Sequence, residues 1–337
     1  MIKVAINGFG RIGRLVFRIM EEDPEFEIVA INDLTDAEQL AYLLKYDTNH
    51  RSYRADEISF EGNNIIVGDR KIKVFAEMDP TKLPWKELEI DEVFECTGHF
   101  TSKDKAMAHI TAGAKKVIIS APAKGDLKTI VYNVNEDILD GSEEVISAAS
   151  CTTNCLAPVL NVLDKEFGVE RGYMTTIHAY TNDQVILDVA HPKGIQSRRG
   201  RAGAANIIPS STGAASAIGL VLPNLKGRLD GGSLRVPTTT GSVIDLTLEL
   251  KEKVTVEEIN KVFMENQNET LTYTSDPVVS SDIIGSHCGA RVDGLLTNVL
   301  VVDDKQLVKV VAWYDNEMGY STQMVRTAKY LYSLMKK

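Results

Sequence analysis

The chain opens Met1-Ile2-Lys3-Val4-Ala5-Ile6-Asn7-Gly8-Phe9-Gly10-Arg11-Ile12-Gly13-Arg14, a stretch that carries the pattern of a strand, a glycine turn and a helix. Ile2–Asn7 is an apolar run with the character of a buried strand, and Ile12–Glu22 carries the pattern of a helix. Between them Gly8, Gly10 and Gly13 follow the spacing G-x-G-x-x-G, a weak signal alone. The context strengthens it. Glu27–Asp33 reads as a second strand, and Asp33 lies 20 residues beyond Gly13. In that arrangement Gly8 permits a tight turn, Gly10 lets backbone approach a pyrophosphate, and Gly13 lets helix pack on strand. The helix N-terminus faces the phosphate charge. An aspartate at the end of the second strand accepts both ribose hydroxyls and repels a 2′-phosphate, which favours NAD over NADP. The competing reading, a glycine-rich turn with no ligand, is disfavoured because strand, helix and Asp33 occur together.

Outward from this turn, short apolar runs alternate with helical segments, the pattern of an α/β, doubly wound parallel sheet. Asp91–Cys96 and Lys115–Ser120 read as strands around a helical Lys103–Ala112, while Asn63–Val67 and Arg70–Phe75 flank a hairpin turn at Gly68-Asp69. The second half changes character. Ser242–Leu250 alternates Asp245, Thr247 and Glu249 with Leu246, Leu248 and Leu250, the period of a strand with one solvated face. Leu307–Tyr314 resembles another, and Glu317–Lys336 reads as a closing amphipathic helix. These patterns predict a dinucleotide-binding domain over 1–150, an α+β domain with a largely antiparallel sheet over 151–316, and a C-terminal helix, 317–337, returning to the first domain.

Bulk properties set the class. A chain of 337 residues has room for two cores. A net charge of −10 argues against nucleic acid or an anionic membrane as primary partner. The glycine cluster arrives too early for the apolar core of a signal peptide, and no apolar run is long enough to cross a bilayer. The four cysteines, Cys96, Cys151, Cys155 and Cys288, are too few and scattered for a disulfide scaffold. The expectation is a cytoplasmic protein.

Glu144–Ala149 is a short apolar run leading into Ser150-Cys151-Thr152-Thr153-Asn154-Cys155, with helical Leu156–Glu166 after it. A cysteine at a strand-to-helix junction sits in the positive field of the helix N-terminus, which lowers a thiol pKa from about 8.5 toward neutrality. Cys151 is therefore a candidate nucleophile. The plainer reading, a cysteine that packs a core, stays open on these residues alone. His178 and His191 lack a tight zinc-site spacing relative to Cys151 and Cys155, so no metal site is expected. His178 ends the expected strand Met174–Ile177, and an imidazole there can hold a thiolate as an ion pair or serve as a structural residue.

Several runs together closely resemble the glyceraldehyde-3-phosphate dehydrogenase family. They are Asn7-Gly8-Phe9-Gly10-Arg11-Ile12-Gly13-Arg14, Ala149-Ser150-Cys151-Thr152-Thr153-Asn154-Cys155, His178-Ala179-Tyr180-Thr181, Pro209-Ser210-Ser211-Thr212-Gly213-Ala214-Ala215, Arg235-Val236-Pro237-Thr238 and Trp313-Tyr314-Asp315-Asn316-Glu317. They keep the family's order and span essentially the whole chain. The resemblance implies a Rossmann-type first domain and an NAD-dependent, phosphorylating aldehyde dehydrogenase of glycolysis. D-glyceraldehyde 3-phosphate becomes 1,3-bisphosphoglycerate through a Cys151 thiohemiacetal and thioester, with His178 as base and electrostatic partner.

It further implies two phosphate subsites, Thr181 and Arg235 for the substrate's C3 phosphate, and Ser150, Thr152, Arg199, Thr212 and Gly213 around the attacking inorganic phosphate. The segment opened by Thr212-Gly213 also reads as the start of a small-residue helix whose free N–H groups suit an anion. Arg11, Ile12 and Asp33 match pyrophosphate and ribose contacts, Thr97 and Phe100 border the adenine, and Ser120, Asn316 and Tyr320 lie near the nicotinamide. Asn316 beside Asp315 equally suits a bend between strand and helix. A homotetramer is implied, with the basic cluster Arg198-Arg199-Gly200-Arg201 near the cofactor of a neighbouring subunit. Met78 stands where many relatives carry Arg or Lys beside the adenine, and Val189-Ala190 precede His191 where NAD-only members commonly have a proline. Those departures bear on the strictness of NAD over NADP and leave the catalytic motif untouched. The alternatives are an erythrose-4-phosphate dehydrogenase on the same scaffold and a binding protein with vestigial catalysis.

Overall fold

The computed structural model describes residues 1–335. The chain divides into two compact units, Met1–Ser150 with the residues from Ser321 onward, and Cys151–Tyr320.

The first unit begins with β1 (Ile2–Asn7), α1 (Arg11–Glu21), β2 (Phe26–Asn32) and α2 (Ala37–Lys45). It continues with β3 (Ile58–Phe60), β4 (Asn64–Val67), β5 (Arg70–Phe75), β6 (Glu92–Glu95), α3 (Lys103–Thr111), β7 (Lys116–Ile119) and β8 (Val145–Ser147). One sheet runs β3-β4-β5-β2-β1-β6-β7-β8. Strands β5, β2, β1, β6, β7 and β8 pair in parallel, as apolar runs buried on both faces require, and β3 and β4 extend the edge antiparallel. The hairpin turn falls at Gly68, whose φ of 58° favours glycine. On one face of the sheet Ala5, Val93, Val117 and Ile119 pack around the buried Trp85. Helix α2 was not read from the sequence. Its buried face, Ala37, Leu40, Ala41 and Leu44, has helical spacing that the exposed Tyr42 and Leu43 blur, and Asp36 starts it by accepting the N–H of Gln39 at 2.8 Å.

The second unit holds α4 (Cys151–Phe167), β9 (Val169–Ala179), β10 (Ile208–Ser210), α5 (Ala214–Val221), β11 (Leu229–Val236) and β12 (Ser242–Leu250). Then follow α6 (Val256–Glu265), β13 (Leu271–Thr274), β14 (Ala290–Asp293), β15 (Asn298–Val302), β16 (Lys305–Tyr314) and the start of α7 (Met318–Leu334), whose residues from Ser321 belong to the first unit. Its sheet runs β10-β11-β9-β12-β16-β14-β13, with β15 on β16. The pairing is antiparallel except at β9/β11 and β13/β14, so the expected largely antiparallel sheet is the observed one. In β12 the leucines Leu246 and Leu248 are buried while Thr247 is exposed. Helix α4 lies on this sheet with Leu156, Val159, Leu160 and Leu163 inward.

The sequence placed the helix after Cys151 at Leu156; the structure begins it at Cys151 itself. The chain turns abruptly to do so. Ala149 takes a left-handed φ of 58°, and Ser147 Oγ accepts the Ala149 N–H at 3.1 Å while donating to Ala121 O at 2.7 Å. Thr152, Thr153 and Asn154, residue types that favour loops, thus form the first turn. In α7 the residues Met324, Val325, Ala328 and Leu331 are buried, and Lys329 pairs with Asp23 at 2.8 Å and Glu25 at 2.7 Å. The sequence carried this helix to Lys336, which lies outside the described residues, as does the end of the 317–337 segment.

Candidate functional site

In the first unit the turn between β1 and α1 has the geometry its glycines require. Gly8 takes φ 90°, and a Cβ there would stand 2.7 Å from Thr97 N. A Cβ on Gly13 would stand 2.1 Å from Gly8 O, so helix and turn touch only because that side chain is missing. Gly10 differs: a Cβ would meet nothing within 4 Å, which leaves open space before the first helical N–H groups. The turn opens on a cleft of about 540 Å³ whose lining includes Gly8, Gly10, Asp33, Met78, Thr97 and Phe100. Asp33 Oδ2 accepts the Phe9 N–H at 2.7 Å and Oδ1 accepts Thr35 N–H at 3.0 Å, each oxygen keeping a further lone pair. Open space at Gly10, the cleft's size and a carboxylate at its wall fit a dinucleotide.

The Arg11 guanidinium is engaged elsewhere, in a two-point pair with Asp47 that includes Nη2 to Oδ1 at 3.1 Å. Burial works to raise the Asp47 carboxyl, but Arg11 and the N–H groups of Asn49 and His50 hold it down at about 2. A carboxylate depressed below its unfolded value of about 3.9 stabilises the fold above about pH 4 and loses that contribution as pH falls through 2. Asp47→Asn is therefore expected to lower unfolding free energy by about 2 kcal/mol at pH 7. In urea titrations the gap from wild type should narrow steadily between pH 4 and pH 2; a constant gap would contradict this account.

In the second unit strand register builds the site. The parallel ladder β9/β11 sets Arg235 beside His178, and β9/β12 sets Ile177 beside Val243. Cys151 Sγ, in the first turn of α4, stands 3.4 Å from His178 Nε2. His178 is 4% exposed. Its Nδ1 lies 2.7 Å from Ala179 O and 3.1 Å from Arg235 Nη1. Nδ1 cannot donate to the carbonyl and accept from arginine at once. The shorter contact, and the alternative acceptors of Arg235 at Ala179 O (3.1 Å) and Thr181 Oγ1 (3.0 Å), assign the proton to Nδ1. That leaves the Nε2 lone pair facing sulfur, the tautomer of a base.

Burial pushes the Cys151 thiol up, and the Arg235 charge with Thr152's hydrogen bonds offsets only part of it. Burial, then the Arg235 charge, pulls His178 down to about 3. The sequence suggested a thiol drawn toward neutrality by its helix; in the folded site desolvation is the larger effect, and the resting pair is neutral. Tyr314, quoted only within a motif, supports both groups. Its hydroxyl bridges Thr152 Oγ1 (2.9 Å) and Thr176 Oγ1 (2.8 Å), and its ring meets His178 edge-on at 5.9 Å.

Thr181, Arg199 and Arg235 converge. Arg235 bonds Thr181, while Thr181 and Arg199 both bond Asp183, a residue the sequence reading missed. A Thr-x-Asp spacing in a loop was the signal available, and it is too common to single out. Arg235 Nε and Thr238 Oγ1 are buried with no partner among the described residues. Arg199 also holds Ser210 Oγ at 3.1 Å. Ala214 N–H bonds Thr212 Oγ1 at 3.2 Å. Gly213 caps α5, and a Cβ there would meet nothing within 4 Å, so there is open space beside the start of that helix. Asn316 is buried, with Oδ1 2.8 Å from Ser242 Oγ, which also accepts Ala179 N–H at 3.1 Å. Tyr320 is buried, and Ser120, after β7, is half-buried. Among the described residues no three His, Cys, Asp or Glu side chains gather to hold a metal ion, and no helix is long and apolar enough to cross a membrane.

Fold and sites together define a class, the dinucleotide-dependent oxidoreductases. Comparison with known proteins narrows it. Residues 2–103 match the family "Glyceraldehyde 3-phosphate dehydrogenase, NAD binding domain", and residues 150–316 match "Glyceraldehyde 3-phosphate dehydrogenase, C-terminal domain". Proteins named glyceraldehyde-3-phosphate dehydrogenase from Clostridium pasteurianum, Clostridium acetobutylicum and Streptococcus pyogenes are 58%, 57% and 52% identical, each over 100% of both chains. The chain belongs to the glyceraldehyde-3-phosphate dehydrogenase family, and its cofactor is NAD.

Proposed function

We propose that this enzyme oxidises D-glyceraldehyde 3-phosphate with NAD and inorganic phosphate to 1,3-bisphosphoglycerate, as a glycolytic dehydrogenase. The observation that carries the chemistry is the 3.4 Å approach of Cys151 Sγ to a His178 Nε2 whose other nitrogen is tied to Ala179 O. Sulfur adds to the aldehyde carbon, and His178 Nε2 takes the thiol proton, so a neutral resting pair becomes reactive without net charge entering the site. The carbon-bound hydrogen of the resulting thiohemiacetal then leaves with its electron pair, for which bound NAD would supply the acceptor, and a Cys151 thioester remains. Inorganic phosphate then attacks the thioester carbon, the C–S bond breaks, and the thiolate leaves with its electron pair. The acyl phosphate is released.

Thr181 and Arg235 are assigned to the C3 phosphate, an assignment supported by the unpartnered Arg235 Nε. Ser150, Thr152, Arg199, Thr212 and Gly213 are assigned to the attacking phosphate. Gly8, Gly10, Gly13 and the N–H groups of Arg11 and Ile12 take the pyrophosphate, and Asp33 the ribose. Thr97 and Phe100 border the adenine; Ser120, Asn316 and Tyr320 carry over as the nicotinamide end. On this reading 1–150 is the NAD-binding domain, 151–316 the catalytic domain, and the C-terminal helix belongs with the former. A cytoplasmic homotetramer completes the proposal. Erythrose 4-phosphate is the less favoured substrate, since the similar proteins are named for glyceraldehyde 3-phosphate.

The test is NADH formation from glyceraldehyde 3-phosphate with phosphate present or omitted. Sustained turnover only with phosphate is expected, because the thioester needs that nucleophile. Equal turnover without it would mean a hydrolytic aldehyde dehydrogenase and would overturn the phosphorylating step.

A further inference from the structure

We propose that His109 and Glu95 form a buried positioning pair that shapes the adenosine end of the nucleotide cleft. The proposal rests on the reading of that cleft as the NAD site. Both residues lie beneath its lining, His109 at 0% and Glu95 at 1% exposure. An indole N–H can only donate. Trp85 Nε1 stands 3.0 Å from His109 Nδ1, so Nδ1 carries a lone pair and Nε2 carries the proton. Nε2 then donates to Glu95 Oε2 at 3.0 Å. The tautomer is fixed by a residue unable to accept.

Four lining positions hang from that carboxylate. Glu95 Oε1 accepts the Thr97 N–H at 2.8 Å and the Thr97 hydroxyl. Oε2 also accepts Asn7 Nδ2 at 2.5 Å. Asn7 Oδ1 in turn accepts Asn32 Nδ2 at 2.7 Å, and Asn32 holds the Glu77 backbone at both N–H and C=O, 2.9 Å each. Thr97, Asn7, Asn32 and Glu77 all line the cleft. Phe100, a fifth lining residue, rests edge-on against the His109 ring at 6.0 Å. A buried carboxylate is tolerable only when its lone pairs are filled, so loss of the Nε2–H donor loosens the whole set. Neither residue reaches the cleft itself, and their effect passes through Thr97, Phe100 and Glu77.

Such a pair should act on adenosine binding and not on the chemistry. Calorimetry with AMP and with NAD on the full-length enzyme reads it directly. His109→Leu is expected to weaken both ligands about tenfold, with the KM for NAD rising in parallel and kcat held within about twofold. His109→Gln places an amide N–H near the lost donor and should recover most of the AMP affinity. Equal losses in the leucine and glutamine variants would reduce the pair to packing and overturn the proposal, as would unchanged AMP binding in His109→Leu. Should the leucine variant fail to fold, Trp85→Phe keeps an aromatic ring and removes the indole donor together with some buried volume. About threefold weaker AMP binding is expected there, and wild-type affinity would overturn the proposal equally. A wild-type enzyme that bound neither AMP nor NAD would instead refute the cleft reading on which it rests.

Discussion

Cys151→Ser is expected to lower kcat by about 10⁴-fold or more while NAD binding and the melting temperature stay close to wild type. The substitution replaces sulfur by a smaller oxygen at a half-buried position, so the packing change is slight. The chemical change is large. A hydroxyl is far harder to ionise than a thiol, and the site gives it little help, since burial already works against charge on Cys151. Oxygen is also a poorer leaving group than sulfur, so the second half of the cycle, phosphate attack on the acyl group, slows as well. The glycine turn and Asp33, to which we assign NAD, line a cleft that the substitution leaves alone. Stopped-flow NADH formation, with calorimetry for NAD, separates these effects. Labelling adds a second reading. Burial pushes up the thiols of Cys96, Cys151 and Cys155 alike, but Cys151 has the His178 imidazole 3.4 Å from its sulfur, so mass spectrometry after iodoacetamide should find the wild-type label on Cys151. A serine variant that kept a tenth of wild-type kcat would rule Cys151 out as the nucleophile.

The two sites differ in how far the sequence exposes them. The nucleotide turn is local: Gly8, Gly13 and Asp33 answer backbone and steric demands imposed within one strand–turn–helix–strand unit, and each demand has a residue type that meets it. The parallel sheet follows from the same unit repeated, and the alternation of Ser242–Leu250 announces the antiparallel one. Cys151 could be placed at a strand-to-helix corner, but nothing nearby in sequence brings His178 to it. That meeting depends on β9 lying parallel to β11 and under α4, a register held by contacts distant along the chain. Three supporting residues were invisible for the same reason. Asp183, Tyr314 and His109 sit in a loop, a strand and a helix where a single polar or aromatic residue carries no periodic signal. The thiol's direction of shift was misread because a helix N-terminus is visible in sequence and the depth of burial is not. Resemblance supplied the residue roles; the folded chain supplies the tautomer of His178 and the partners of each arginine.

His178→Asn is expected to lower kcat by about 10²- to 10⁴-fold, the range of a lost general base, and to slow iodoacetamide at Cys151 near neutral pH. The geometry gives the reason. Nδ1 is committed to Ala179 O, so Nε2 offers its lone pair to the thiol at 3.4 Å, and asparagine at this position offers no comparable base. The pH dependence follows from the direction of the shift. Burial and Arg235 hold His178 at about 3, far below an ordinary imidazole near 6.5, so it is a neutral base throughout the physiological range. Folding with a depressed histidine pKa favours the neutral ring: that contribution is whole above about pH 6.5 and fades as pH falls toward 3. Alkylation in wild type should accordingly show no step near pH 6.5 from His178, and should rise with pH as the thiol itself ionises. In the asparagine variant the whole profile should lie lower and shift to higher pH, because only solvent remains to take the proton. Were the variant alkylated as fast as wild type at pH 7, Cys151 would not depend on His178 for its reactivity. Arg235 would then be the charge that favours the thiolate, and the base would have to be sought in the substrate's own phosphate.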